Sequence, residues 1–188
     1  MKSGERHQAG DASSGFTPGE KPDDEEDLFP YFNPSCFSGY TDGPKGFYMV
    51  YGDLFRRLGR QERDAYERRD DRHHDSLNVP EFGGSGAPWA QVQAFYDFWC
   101  NFASVKDFSW ADQYHPSQAP NRQVRRAIEE ENKKARREAR KEFNDEVRAL
   151  ATWLKRRDRR VVEHSRLEAE RKEREKKEAE ERRKRRGE

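Results

Sequence analysis

NRQVRRAIEEENKKARREARKEFNDEVRALATWLKRRDRRVVEHSRLEAERKEREKKEAEERRKRR, residues 121–186, contains neither proline nor glycine, although the chain holds nine prolines and thirteen glycines elsewhere. With Glu, Lys, Arg and Ala dominating, the run predicts a single helix about 100 Å long at about 1.5 Å rise per residue. Helices in globular domains average ~10–14 residues. A rod of that length does not fit inside a chain of 188 residues, so it is expected to project from a smaller head. The expected fold class is all-α: a small aromatic-cored helical head, one very long charged helix and a disordered N-terminal tail.

Two stripes run along the predicted rod. Val124, Ile128, Ala135, Ala139, Phe143, Val147, Leu150, Leu154 and Val161 share one side. Ile128, Ala139, Leu150 and Val161 are spaced by eleven, a period that keeps a seam nearly straight with a slight right-handed bias. A left-handed coiled coil wants sevens instead. The seam is expected to lie first on the chain's own head and then on a partner, with Ser117 capping the rod and Pro120 in its first turn.

Arg126, Arg137, Arg148 and Arg159 repeat the period of eleven, and Arg122, Lys133 and Lys155 lie near the same azimuth. Denser patches flank this column: Lys133, Lys134, Arg136, Arg137, Arg140 and Lys141, then Lys155, Arg156, Arg157, Arg159 and Arg160. Guanidinium forks match phosphate geometry, and such stripes grip a nucleic-acid backbone without reading its sequence. The candidate nucleic-acid contacts are Arg122, Arg126, Lys133, Lys134, Arg136, Arg137, Arg140, Arg148, Lys155, Arg156 and Arg159. The plainer reading is a solvated face, since basic residues are dense throughout the region.

Beyond Val162 the seam ends. Glu168/Lys172, Glu170/Arg174, Glu173/Lys177, Glu178/Arg182, Glu180/Lys184 and Glu181/Arg185 are acid-before-base pairs at i,i+4, each adding about 0.2–0.5 kcal/mol to a helix with no face to bury. This part reads as a self-supporting spacer. Its end, Arg182 to Arg186, reads either as a nuclear-localisation or RNA patch or as a plain helix end.

Upstream, Phe47, Val50, Tyr51, Leu54, Phe55 and Leu58 recur at helical spacing, predicting an amphipathic helix that continues in polar form to about Arg69. Val92, Phe95, Tyr96, Trp99 and Phe102 outline a second, opened by Pro88. Residues 28–40 are aromatic but broken by Pro30, Pro34 and Gly39, which suits an irregular strap. Phe108 and Trp110 are placed to close the core from a third side. Phe95, Tyr96, Trp99 and Trp110 also admit a base-stacking reading, although two helices need nearly every aromatic they have as core.

Charge divides the chain. Residues 1–120 carry 12 Lys+Arg against 20 Asp+Glu, and residues 121–188 carry 26 against 17. The basic half implies an acidic partner. Residues 1–27 end in Asp23, Asp24, Glu25, Glu26 and Asp27 and hold almost nothing to bury. They read as a solubilising tail or as a shield for the basic arm.

Cys36 and Cys100 are too far apart for a zinc signature. Two isolated thiols suit a reducing compartment, with the cytosol or nucleus as the default location. No apolar run reaches the ~20 residues that span a bilayer. His73 and His74 read as solvated, and no constellation suggests catalysis, a metal or a cofactor.

YFNPSCFSGYTDGPKGFYMVYGDLF (31–55), FYDFWCNFASVKDFSWADQY (95–114) and residues 121–161 resemble the zuotin-homology region of ribosome-associated J-proteins of the zuotin type. The most specific pieces are GFYMVY, FYDFW, FSW, ENKKARREARKEFN and KRRDRRV. The resemblance covers about residues 28–162 and divides the chain into an acidic tail (1–27), a head with a docking helix (28–162) and a charged extension (163–188). It implies docking on the large ribosomal subunit through rRNA phosphates and ribosomal protein, with the basic residues of ENKKARREARKE and KRRDRR in contact. It also implies a co-chaperone role with a DnaK-type chaperone in maturation of that subunit.

Two features of that family are missing from these residues. Zinc fingers are absent, and His115-Pro116 is followed by Ser117 where a J domain carries His-Pro-Asp. Docking is therefore expected of this chain, and chaperone stimulation only with a J domain supplied elsewhere. The alternative is a charged-helix scaffold or spacer whose head binds another protein, with no specific RNA role.

Overall fold

A computed structural model describes residues 19, 21–22, 25–69 and 76–187. Most of the proposed disordered tail, and His73 and His74, lie outside the described residues. Among the described residues every regular element is helical: α1 (Phe47–Glu67), α2 (Trp89–Trp99), α3 (Arg122–Lys155) and α4 (Arg159–Arg186), with short 3-10 turns between them.

α1 begins where Gly46 lets the backbone approach Thr41. A Cβ at Gly46 would fall 2.1 Å from the Thr41 carbonyl oxygen, so no other residue fits. Phe47, Tyr51, Leu54, Phe55 and Leu58 then enter the core as expected. On α2, Val92, Phe95, Tyr96 and Trp99 are buried. Phe82 joins them from the preceding loop, with its ring 4.8 Å from that of Phe95. The residues considered for base stacking are thus core, apart from the half-buried Trp110. Leu28 anchors the aromatic strap, and the Tyr51 hydroxyl donates to the Tyr31 carbonyl at 2.8 Å.

α3 closes the core, but from its far end. Phe143, Val147, Leu150, Ala151 and Leu154 are buried, whereas Val124 is exposed and Ile128 and Ala135 only half-buried. The expectation that the first turns pack on the head is corrected: they project, and the seam meets the head in its second half. The cap is corrected too. Asn121, not Ser117, caps α3 through its side chain to the Val124 N–H at 2.9 Å. Pro120 holds Ala119 extended, as a following proline does, so the helix cannot start earlier.

The long run is not one unbroken helix. It turns at residues 156–158, where Asp158 caps α4 by accepting from the Arg160 N–H at 2.9 Å. The Asp158 carboxylate is fully buried and accepts from the Tyr96 hydroxyl at 2.8 Å and from Arg160 Nη2 at 2.7 Å. Arg160 in turn donates to the carbonyls of Phe82 and Gly84, at 2.9 Å each. A helical N-cap needs only a short polar side chain, so the elbow forms without glycine or proline. Past the elbow Trp89 stacks on His164, rings 3.6 Å apart and 6° from parallel. No residue of α4 is buried. None of the four helices is long and apolar enough to cross a membrane.

Candidate nucleic-acid interface

The eleven candidate cations separate into two groups by what they touch. Arg122, Arg126, Lys133, Lys134, Arg137 and Arg156 are exposed. Their side chains have no hydrogen-bond or ion-pair partner among the described residues. The other five serve the fold. Arg136 clasps Asp112 through both ends of its guanidinium, Nε to Oδ1 at 2.5 Å, and that hydrogen bond holds the guanidinium all the more firmly protonated. Arg140 donates to the Lys106 carbonyl at 3.0 Å and lies over the Phe108 ring. Arg148 donates to the Phe102 carbonyl at 2.7 Å. Lys155 lies over Tyr96, and the Arg159 guanidinium sits 4.1 Å from the Tyr40 ring centre.

The KRRDRR motif is therefore largely structural. Arg157 stacks on Trp153 at 3.9 Å, and Arg160 has only 7% of its side chain exposed. Of the basic residues in that motif, Arg156 alone is exposed with no partner among the described residues.

Where the first group meets the head, a groove of about 1020 Å³ opens between the end of α1, the 105–110 loop and α3. Lys133, Arg136, Arg137 and Arg140 line its α3 wall; Arg68 and Arg69 line the opposite wall. The last two were missed by sequence reasoning. They close the polar end of α1, and nothing in a linear pattern signals that α3 faces them across more than sixty residues. Asn132, buried inside the ENKKARREARKE motif, sets the depth of this groove. Its side chain accepts from the N–H groups of Gln113 and Tyr114 and donates to the Tyr114 carbonyl at 2.7 Å. Arg122 and Arg126 stand outside the groove on the projecting turns.

A second clasp holds the loop that forms the groove floor. Glu62 is buried and accepts from Ser104 Oγ and the Val105 N–H, both at 2.7 Å. Burial pushes its carboxyl above the ordinary range, against the opposing pull of those two bonds. Asn144 on α3 accepts from the Ser104 N–H at 2.8 Å, so α1, the loop and α3 are tied together. Among the described residues no group of three or more His, Cys, Asp or Glu is placed to hold a metal ion.

This helical head with its basic outer helix matches a known family. Residues 46–162 fit the family described as Zuotin-like, zuotin homology domain, and the chain belongs to it. It is 41% identical over 150 residues to DnaJ homolog subfamily C member 21 of Bos taurus, covering 79% of this chain and 27% of that protein. The protein of the same name from Homo sapiens is 40% identical over 166 residues, covering 87% and 30%. The J protein JJJ1 of Saccharomyces cerevisiae is 27% identical over 171 residues, covering 77% and 29%. The matched part is thus less than a third of the length of each of these relatives.

Proposed function

We propose that this chain is the ribosome-docking part of a J-protein-type co-chaperone that acts in biogenesis of the large ribosomal subunit, in the cytosol. Family membership and the similarity to two DnaJ homologs support the co-chaperone class. The observation that carries the docking reading is the set of unpartnered cations on α3, Arg122, Arg126, Lys133, Lys134 and Arg137, joined at the elbow by Arg156. Such cations keep their full charge for phosphates, and each duplex phosphate neutralised contributes about −0.9 to the slope of log affinity against log salt. The partners are rRNA phosphates and ribosomal protein. Stimulating a DnaK-type chaperone belongs to a J domain with His-Pro-Asp, a tripeptide these 188 residues do not contain. The purified chain is accordingly expected not to accelerate single-turnover ATP hydrolysis by such a chaperone.

Sedimentation with separated ribosomal subunits tests the docking reading. Changing Arg126 and Arg137 to Gln leaves every internal contact described above in place, whereas Arg148 and Arg159 also support the fold and make poor probes. Large-subunit binding should weaken and its salt slope become shallower by about two units. Arg171→Gln with Arg174→Gln on α4 should change binding much less. An unchanged slope in the first variant would sink the phosphate reading. Equal losses in both would mean diffuse charge attraction without a docking face, and no loss in either would favour the scaffold alternative.

A further inference from the structure

A second groove, of about 470 Å³, runs along the last turns of α3. Asp145, Arg148, Ala149, Thr152, Trp153 and Arg156 line it, and Phe32 closes it from the aromatic strap. The six on α3 recur at i, i+3, i+4, i+7, i+8 and i+11, one stripe of a helix. At about 1.5 Å rise per residue the stripe is about 16 Å long. It lies beside the buried face of Phe143, Val147, Leu150, Ala151 and Leu154, so α3 carries a second face that its own head does not cover.

The floor of this groove is small and its rim is aromatic. Ala149 and Thr152 are exposed. Phe32 and Trp153 rest on the core and are half-buried, with their rings 6.3 Å apart and edge-on at 69°. Phe29 stands in the same 3-10 turn as Phe32, three residues earlier. Side chains three apart eclipse in that geometry, so Phe29 extends the rim, and it is 83% exposed. A lone exposed apolar residue is ordinary. Neighbouring aromatics with one of them left bare mark a surface that receives a partner.

Charge narrows the kind of partner. Asp145 is the one acid lining the groove, and Lys141 at 3.0 Å and Arg148 Nη1 at 3.7 Å already engage it. Arg156, at the other end, is exposed with no partner among the described residues. Arg157 lies over the Trp153 ring at 3.9 Å. The unmatched charge beside the aromatics is positive, and its complement is acidic.

RNA suits this place less than a peptide does. Base stacking needs open ring faces, but Arg157 lies over Trp153 and Phe32 meets that ring edge-on. A phosphate backbone needs several free cations in a row. Arg156 stands nineteen residues, about 28 Å of helix, from Arg137, the nearest of the other unpartnered candidates. A small floor, an aromatic rim and a free guanidinium are what an amphipathic helix meets in a groove, and aromatics and Arg dominate such contacts.

We propose that Phe29, Phe32, Trp153 and Arg156 form a docking face for a short acidic amphipathic helix of another protein, its apolar edge over Ala149 and Thr152 and a carboxylate on Arg156. The face is distinct from the phosphate contacts assigned to the projecting turns of α3, and it withdraws only Arg156 from them.

The test selects a phage-displayed library of random peptides on the full chain and titrates the enriched peptides by fluorescence anisotropy. Enriched sequences should combine Asp or Glu with apolar residues at helical spacing, and circular dichroism should show them gaining helix on binding. Phe29→Ala removes an exposed ring, so melting should be unchanged while peptide binding weakens roughly 5- to 30-fold, the range of contacts that matter in an interface. Arg156→Glu, which reverses the free charge, should weaken it at least as much. Arg126→Gln with Arg137→Gln should leave it unchanged, so this proposal and the phosphate reading fail on separate measurements. Absence of enrichment, enrichment of basic peptides, or peptides that bind both single variants as tightly as the wild type overturns the proposal. A single-stranded RNA whose binding Phe29→Ala weakens as strongly as that of the peptides overturns it too, in favour of base stacking.

Discussion

α3 and α4 are written in nearly the same alphabet, yet they are held in place by different physics. α3 buries Phe143, Val147, Leu150, Ala151 and Leu154 and ties several arginines to loop carbonyls. α4 packs on the head only at its start, through the Arg160 side chain and the half-buried Val161, and is otherwise sustained by its own ion pairs, among them Glu173–Lys177 at 2.8 Å and Glu180–Lys184 at 2.9 Å. Arg166 and Arg171 each bridge two glutamates, one three and one four residues away. The difference teaches that a basic residue's availability to a partner is decided by what stands beside it. On α3 some cations are spent on the fold and others are left for a ligand, whereas most of those on α4 lie near an acid of their own helix.

The elbow between the two helices is where this contrast is easiest to break. Asp158→Ala removes the cap of α4 and leaves Tyr96 and the buried Arg160 without their carboxylate. A loss of about 3–5 kcal/mol in denaturant unfolding is expected, as when one partner of a buried charge pair is deleted. A loss below about 1 kcal/mol would mean that the elbow is not a lock.

Next in size is a matched pair of truncations. Leu150→Ala should cost about 2–5 kcal/mol through lost burial and the cavity left behind. Leu167→Ala, on the half-exposed surface of α4, should stay within about 0.5 kcal/mol. Similar costs in calorimetry would erase the distinction between a packed and a self-supporting helix.

Glu62 sharpens the comparison through pH. Because burial raises its carboxyl in the folded state, the fold holds that proton more tightly than the unfolded chain does. Its contribution to stability is full below the ordinary carboxylate range and is lost as pH rises through the raised value. As pH rises from the ordinary carboxylate range through that raised value, the stability of the wild type relative to Glu62→Gln should therefore fall. Exchange protection of the α3 amides near Asn144 should follow it, and that of α4 should not. A flat difference profile would show that Glu62 stays charged in the fold.

The smallest effect is expected on α4 itself. Arg171→Ala removes two exposed contacts with Glu168 and Glu175, which solvent and salt screen. A slight loss of helicity by circular dichroism, fading as salt rises, should appear without change in the melting of the head. A shift in the head's melting would mean that α4 is coupled to the core beyond the Trp89–His164 stack.

Much of the head was legible because helical periodicity is a local signal. The apolar spacing of Phe47 to Leu58 and of Val92 to Trp99 located α1 and α2, and the seam named all but two of the residues α3 buries, Asn132 and Ala151 being the exceptions. Three of the six i,i+4 pairs foreseen on α4 are formed, Glu173–Lys177, Glu178–Arg182 and Glu180–Lys184. The column of arginines was visible as a pattern, but its division into spent and available cations was not. Arg148 owes its role to the Phe102 carbonyl and Arg159 to the Tyr40 ring, partners far away in the chain. The elbow escaped for a similar reason: Asp158 is one acid in a basic run until Tyr96 is placed against it.

The sequence by itself determined which stretches are helical, which faces are apolar and how charge divides along the chain, since these depend on propensity and on neighbours three or four residues apart. Only the tertiary structure decided where the long run bends, which end of α3 meets the head and which guanidiniums face the groove. Those outcomes hang on single contacts between residues tens of positions apart, such as Tyr96 with Asp158 and Asn132 with Tyr114. A buried polar group must find a partner wherever the fold supplies one, and no linear pattern records where that is.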